Sequence, residues 1–193
     1  MKKYCLFLLT NILLTSCTQE SLDRTIFIPD RDDHRLPAYT EWGYNSFGAE
    51  YERDYFLASS YVFPCKILYD SGMIYFSLHG NIRDNQDMTL LFSFPWEQIE
   101  SFRDLVQLHD VEIDLSDEDC TVKMLQNNNE DVLNVIHGKL HFKRTQLLRV
   151  DDIVNRVILS GVFDVQFQRN LFPETISNGR FDLGIDQKVF YTY

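Results

Sequence analysis

Apolar side chains recur at every second position along much of this chain, and that spacing constrains the fold more than any other feature. An amphipathic helix would instead repeat about every 3.6 residues. Strands with one face in a core and the other in water show the alternating pattern. The alternating apolar positions are Ile74, Phe76, Leu78, Gly80 and Ile82; Val111, Ile113 and Leu115; Leu140 and Phe142; Val157, Leu159, Gly161, Phe163, Val165 and Phe167; and Phe181, Leu183 and Ile185.

Turn-forming residues separate these runs. Asp70-Ser71-Gly72, Ser116-Asp117-Glu118-Asp119 and Ser177-Asn178-Gly179 each combine residue types that favour turns. Many short strands joined by polar turns predict a mainly β, antiparallel, sandwich-like domain.

One stretch departs from the period of two. Ile99, Phe102, Leu105 and Val106 follow one another at helical spacing. The sequence therefore predicts one short helix over about 96–107, with Pro95 near its first turn.

The first 16 residues are organised like an export signal. Lys2 and Lys3 form a positive region, and the mainly apolar stretch over 4–14 is shorter than the roughly 20 residues that span a bilayer. Leu14-Thr15-Ser16-Cys17 then resembles the lipobox of bacterial lipoproteins. That resemblance implies cleavage before Cys17, acylation of Cys17 with chains such as palmitate, and, because Thr18 follows, sorting to the outer membrane. A plain secretory signal, or a short membrane anchor with Cys17 incidental, is the alternative.

The charged segment after Cys17 predicts a tether. Pro29 and the run Asp30-Arg31-Asp32-Asp33-His34-Arg35 favour a flexible linker, so we expect a lipidated N terminus and tether over 17–36 and a β-rich domain over 37–193. Ile26-Phe27-Ile28 could instead dock as an edge strand.

The charge balance excludes one class of partner. The net charge is −11, and without Lys2 and Lys3 it becomes −13, with 16 basic residues against 29 acidic ones. A surface this negative repels phosphate backbones, so we expect no nucleic-acid partner.

Two cysteines remain once Cys5 leaves with the signal and Cys17 is acylated. Cys65 and Cys120 either form a disulfide, since the chain is exported, or stay as two separate thiols in strands.

Catalytic and metal-binding patterns are weak. His137 and His141 are four residues apart, a spacing that could hold one metal ion on a helix but not on a strand. The residues around them alternate between apolar and polar, as in a strand. Residues 110–119 include six carboxylates, the type of ligand that calcium prefers. They lack the residue order of an EF-hand, however, and a solvated strand followed by a turn accounts for them. With no nucleophile elbow, phosphate loop or dinucleotide fingerprint, we assign no catalytic residue, metal or cofactor.

Aromatic residues cluster where the β-rich domain begins. Tyr39, Trp42, Tyr44 and Phe47 lie within nine residues of one another. Exposed rings here would stack on sugars, whereas buried rings would close the end of a sandwich core.

The same stretch resembles a group of small lipoproteins of Bacteroides and its relatives. Their Pro-x-x-Thr-x-x-Gly-x-Asn-Thr-Phe-Gly opening is matched by Pro37, Thr40, Gly43, Asn45, Phe47 and Gly48, with Ser46 in place of Thr. Gly161-Val162-Phe163 and Gly179-Arg180-Phe181-Asp182 match their closing strands, while Glu52-Arg53-Asp54 stands where an Asn-Gly turn is common. Many of these proteins have no known function, so the resemblance implies an envelope compartment and a β fold.

Two classes of function are compatible with these features. The first is a cell-envelope lipoprotein that binds a glycan or a protein partner, or has a structural role, bound to the membrane through Cys17. The alternative is a hydrolase acting on envelope or dietary polymers. Only the expected location in the cell envelope and the abundance of carboxylates support it. The missing catalytic motifs favour the first.

Overall fold

Twelve strands and one short helix make up the described part of the chain. The structure is a computed structural model, and it describes residues 23–60, 62–82, 86–127, 129–169 and 171–193. The predicted signal peptide and Cys17 lie outside these residues. The strands are β1 (Ser46–Tyr51), β2 (Asp54–Ala58), β3 (Cys65–Asp70), β4 (Met73–Ile82), β5 (Gln86–Pro95), β6 (Val111–Asp114), β7 (Thr121–Gln126), β8 (Asn129–Val132), β9 (Asn134–Val150), β10 (Ile153–Arg169), β11 (Phe172–Ile185) and β12 (Phe190–Thr192).

The strands form one ladder with the order β6-β9-β10-β11-β1-β2-β4-β5-β7-β8, and β3 joins β4 to β12. All pairs are antiparallel except β3 with β12. The link between β2 and β4 is only two residue pairs long, Leu57 with Asn81 and Ala58 with Gly80. This narrow link divides the ladder into a first layer, from β6 to β2, and a second layer containing β3, β4, β5, β7, β8 and β12.

Ring contacts show that the two layers face each other. Phe76 on β4 lies 5.5 Å from Phe142 on β9 and 5.3 Å from Phe181 on β11. Five strand spacings separate β4 from β9 along the ladder, about 24 Å in a flat sheet. The ladder therefore folds over on itself, and the predicted mainly β, sandwich-like architecture is confirmed.

The alternating residues point into this core as predicted. Val157, Leu159, Phe163, Val165 and Phe167 of β10 are all at most 2% exposed. Burying such side chains contributes roughly 1.5–3 kcal/mol each, before the entropy of ordering the chain is subtracted. The inward positions of β4 and β11 are buried in the same way.

Not every predicted turn is a turn. Ser71 and Gly72, with φ of 50° and 82°, form the β3–β4 turn. Ser177-Asn178-Gly179 instead lies inside β11, where the register with β1 and β10 shifts. Asn178 has φ of 53°, so the segment is a β-bulge, a feature built from the same residue types as a turn.

The helix begins later than predicted. It is a 3₁₀ helix over Phe102–Leu108, preceded by Ser101, whose backbone N–H donates to the Asp104 carboxylate at 2.8 Å. Pro95 is the last residue of β5, opposite Met73, because a strand end tolerates a residue without an N–H. Phe102, Leu105 and Leu108 face the core.

The segment expected to be a loose linker is packed on the domain over residues 23–36. Asp30 forms an ion pair with Arg180 at 2.7 Å, and Asp23 forms one with Arg156. Leu36 is 1% exposed. Ile26-Phe27-Ile28 is not an edge strand but contributes single backbone hydrogen bonds, such as Ile26 N–H to Tyr44 C=O at 2.8 Å. The tether prediction therefore fails for 23–36, and its remainder over 18–22 lies outside the described residues.

Residues 23–44 form an outer layer on the first sheet. Their partners Arg156, Arg180 and Asp182 occupy positions of β10 and β11 that alternate with the core residues. They therefore lie on the side of this sheet that faces away from the second layer.

Candidate functional site

One buried carboxylate organises the loop that contains Trp42. Asp182 on β11 is 2% exposed. Its oxygens accept hydrogen bonds from the backbone N–H groups of Trp42, Gly43 and Tyr44 at 3.1, 2.7 and 3.2 Å, from the Thr40 hydroxyl at 2.6 Å and from the Ser160 hydroxyl at 2.9 Å. A carboxylate with this many donors is satisfied despite its burial, so the loop has one defined conformation.

Two residues give the loop the backbone shape that this arrangement needs. Gly43 has φ of 74°, which glycine adopts without a steric penalty. Asn45 has φ of 53°, and its side-chain oxygen accepts the Gly184 N–H at 2.9 Å. The opening and closing stretches noted in the sequence therefore form one structural unit, in which Asp182 and Gly184 of β11 bind residues 40–45.

The loop presents Trp42 to solvent. Its side chain is 72% exposed, whereas Phe47, five residues later, is 1% exposed and belongs to the core. Beside Trp42 lies a cleft of about 450 Å³, lined by Tyr39, Thr40, Glu41, Trp42, Arg144 and Gln146. An indole ring this exposed on a fixed loop is unusual for a residue that is mostly buried in folded proteins.

Polar groups in the cleft are connected to one another through Glu41. The Glu41 carboxylate accepts the Tyr39 hydroxyl at 3.0 Å and contacts Arg144 Nε at 3.3 Å. Gln146 Nε2 donates to the Glu41 carbonyl at 2.7 Å. The Lys143 ammonium lies 5.2 Å from the Tyr39 ring centroid, a cation–π arrangement.

The three aromatic residues proposed from the sequence have different environments. Trp42 is exposed, while Tyr39 and Tyr44 are half-buried. Burial, with the hydrogen bond to Glu41, raises the pKa of the Tyr39 hydroxyl, so it is a donor at neutral pH. Trp42 thus offers an exposed aromatic ring, and Tyr39 forms a polar side wall of the cleft.

Sequence reasoning missed Asp182, Arg144 and Gln146. Asp182 stands out in the sequence only as part of the closing stretch, and a separation of 142 positions from Thr40 gives no local sign of their contact. Arg144 and Gln146 follow the irregularity in β9 pairing near 142–143, which places them beside the loop.

Cys65 and Cys120 are free thiols in the structure. Cys65 pairs with Leu78 on β4, which is opposite Leu90 on β5 and then Met124 on β7. Three strand spacings, about 14 Å, separate β3 from β7, whereas a disulfide needs Cα atoms within about 7 Å. Burial raises the pKa of both thiols, which lowers their reactivity.

A Ser–His pair elsewhere does not have the geometry of an activated nucleophile. Ser77 Oγ donates to the Lys66 carbonyl at 2.8 Å and lies 3.2 Å from His79 Nε2. Because the hydroxyl proton is already used, Nε2 must donate to Ser77, and Nδ1 accepts from Thr89 Oγ1 at 2.9 Å. A general base would have to accept from the serine.

The described residues contain neither a candidate metal cluster nor a helix that could span a membrane. There, no group of three or more His, Cys, Asp or Glu side chains could hold a metal ion. His141 pairs with Asp110 at 3.0 Å instead of sharing a site with His137. In the same residues no helix is long and apolar enough to cross a bilayer.

A second cleft, of about 640 Å³, lies between the β7–β8 hairpin and the end of β10. Arg169 lines it, and its guanidinium donates to Asp131 at 2.6 Å and to the Tyr51 hydroxyl at 3.3 Å. Tyr51 in turn donates to Glu174 at 2.5 Å. Beyond this end of β10, Phe172 is 72% exposed.

No protein-family model, curated protein or solved structure matches the chain.

Proposed function

We propose that this protein is a lipid-anchored module of the bacterial cell envelope that binds glycan at the Trp42 cleft. One observation carries the glycan proposal: an indole ring, 72% exposed, stands on a loop fixed by four hydrogen bonds to a buried carboxylate. The flat apolar face of a sugar ring packs on such a ring. Because the loop is already ordered, binding loses little conformational entropy.

The surroundings of Trp42 suit a ligand that is partly polar. Binding sites combine an apolar surface with a few polar groups that set orientation. Here Glu41, Arg144 and Gln146 supply acceptors and donors beside the indole. A purely apolar partner would exclude water from these groups and offer them no hydrogen bond in its place.

The described cleft gives no support to the hydrolase alternative. Glycoside hydrolysis commonly uses two carboxyl groups on either side of the scissile bond. Among the described residues that line this cleft, Glu41 is the only acidic side chain.

The membrane proposal rests on the lipobox resemblance at Cys17. Asp23 contacts Arg156 and, at 3.3 Å, Lys188, so the chain is attached to the domain from that residue onward. Six peptide steps separate Cys17 from Asp23, which is about 21 Å when fully extended. The cleft would therefore work close to the membrane surface.

A glycan array tests the binding proposal, with the mature lipidated chain in detergent micelles. Trp42→Ala should reduce binding of any positive glycan at least tenfold, because truncation removes the stacking surface. Phe172→Ala, at an equally exposed ring elsewhere, is the matched control and should bind normally. No bound glycan, or equal losses in both variants, would contradict the proposal.

The lipid anchor has an independent test. Cys17→Ala should abolish labelling by an alkyne fatty-acid analogue in cells and release the protein from the membrane fraction. Cys65→Ala is the control and should keep both properties. Persistent labelling of the Cys17→Ala protein would contradict the lipid-anchor proposal and would not affect the glycan proposal.

A further inference from the structure

We infer that the ligand of the Trp42 cleft is an acidic glycan whose uronate carboxylate pairs with Lys143 and Arg144. The inference rests on the proposed glycan-binding function and names the class of glycan. It comes from the charges around the cleft, which the exposed indole alone does not determine.

The donors in the cleft already bind a carboxylate, that of Glu41. One Glu41 oxygen accepts the Tyr39 hydroxyl at 3.0 Å, and the other contacts Arg144 Nε at 3.3 Å. A phenol O–H and a guanidinium that face the same carboxylate form a donor set with the geometry of that group. A ligand carboxylate placed between the same donors would meet the same chemistry.

Two cations lie beside Tyr39 and Glu41, and only Arg144 has a carboxylate partner among the described residues. The Arg144 side chain is 52% exposed, and its ion pair is with Glu41. Lys143 lies over the Tyr39 ring, and no carboxylate among the described residues is within ion-pairing distance of its ammonium. An unpaired lysine beside a paired arginine leaves one positive charge to be matched.

The negative charge of the whole molecule opposes this pairing only at long range. The net charge is −11, yet exposed charges more than about 8 Å apart are largely screened at physiological ionic strength. At contact distance the nearest side chains decide the interaction. Because added salt also screens an exposed ion pair, the preference for acidic sugars should weaken as the salt concentration rises.

The test compares oligogalacturonate with its carboxyl-reduced neutral counterpart by titration calorimetry, using the mature lipidated chain in detergent micelles. The natural chain should bind the uronate form at least tenfold more tightly. Lys143→Met should lower affinity for the uronate form several-fold and leave the neutral form unchanged. Arg144→Met should lower affinity for both forms, and for the uronate form by the larger factor, because Arg144 also lines the cleft. Glu41→Gln should raise affinity for the uronate form, because it removes the competing carboxylate.

The outcomes separate the two proposals. Equal binding of the two oligosaccharides, or weaker uronate binding by Glu41→Gln, overturns the acidic-glycan inference and leaves the glycan-binding function standing. Binding of neither oligosaccharide, together with an empty glycan array, overturns both. Thermal unfolding of each variant confirms that these exposed substitutions leave the fold intact.

Discussion

Trp42 and Phe172 are equally exposed, at 72%, but their backbones are fixed in different ways. The Trp42 loop donates three backbone N–H groups to Asp182. Phe172 is instead the first residue of β11, paired with Arg169 on β10, and it follows Leu171, which has φ of 71°. The polar groups near Phe172 instead surround Arg169, on the strand below.

The difference teaches that exposure alone does not mark a binding site. The ring of Trp42 stands on a loop whose backbone a buried side chain already holds, so binding there costs little backbone entropy. Phe172 is held by strand pairing and, among the described residues, lies in no such pocket of polar loop contacts. The buried polar network under Trp42 would be a poor choice for stability alone, since apolar residues could fill the same space. What it does hold in place is the backbone of the loop that contains Trp42.

Removing the Asp182 charge should have the largest effect. In Asp182→Asn an amide NH₂ replaces one acceptor and faces N–H donors, so at least one buried hydrogen bond is lost and one donor is left unpaired. We expect unfolding to become easier by about 3 kcal/mol. Calorimetry should show Tm lower by roughly 6–12 °C.

Asp164→Asn is the matched control, because Asp164 is an exposed carboxylate on the neighbouring strand β10. It should change stability by less than about 0.5 kcal/mol. Asp182→Asn should also weaken glycan binding. If the Asp182→Asn protein binds glycan as tightly as the natural chain, the Trp42 loop does not need the Asp182 carboxylate. The contrast drawn with Phe172 would then be wrong.

Gly43→Ala should have the next largest effect. At φ of 74° an alanine is strained, and its Cβ would lie 3.2 Å from Ile158 Cγ1. We expect a loss of about 2 kcal/mol in the free energy of unfolding. Glycan affinity should fall as well, because the loop must move to relieve the contact.

Gly72→Ala separates these two consequences. Gly72 has φ of 82° in the β3–β4 turn, and no atom lies within 4 Å of the added Cβ. This variant should lose stability through backbone strain alone and bind glycan normally. Chemical denaturation and calorimetric titration of both variants give the comparison; equal glycan affinities would count against a preorganised Trp42 loop.

Arg169→Met should have a smaller effect, at the other region. The Arg169 side chain is 28% exposed and its partner Asp131 43%, so water screens their ion pair. We expect a loss of about 1 kcal/mol in the free energy of unfolding, and no change in glycan affinity. A loss comparable to that of Asp182→Asn would show that the two networks are equally important.

The sequence predicts the core of this molecule better than its outer layer. Alternation identified Val157, Leu159 and Phe163 as inward residues because strand geometry alone decides which side a residue faces. The same alternation assigned Ser160 and Asp182 to water, yet they are 0% and 2% exposed. Residues 23–44 cover them, and a charged, proline-containing segment gives no local signal that it will pack.

The candidate site was predictable only in part. The aromatic cluster pointed to Trp42, but deciding between an exposed and a buried ring required the contact of Asp182 with the loop, across 140 residues of chain. The late start of the helix has a local explanation, because the Asp104 carboxylate accepts the Ser101 N–H just before the first turn. A serine followed three positions later by an acidic residue is a recognised sequence signal for a helix start.

Titration of Tyr51 comes last, because it changes the stability of the fold only at alkaline pH. Burial, with the hydrogen bond to Glu174, raises the pKa of Tyr51 to about 12, above the ordinary value of about 10. A group whose folded pKa is raised stabilises the fold fully below its unfolded pKa. That contribution is lost as pH rises from about 10 to about 12.

Tyr51→Phe isolates this contribution within the Arg169 region. The natural chain should lose its stability advantage over the variant between pH 10 and pH 12, as measured by urea unfolding at each pH. Tyr193→Phe, at a ring that is 88% exposed, is the control and should parallel the natural chain throughout. If the advantage of the natural chain over Tyr51→Phe stays constant to pH 12, Tyr51 does not belong to a buried network. The polar side chains around Arg169 would then be solvated, unlike the buried hydrogen bonds of Asp182.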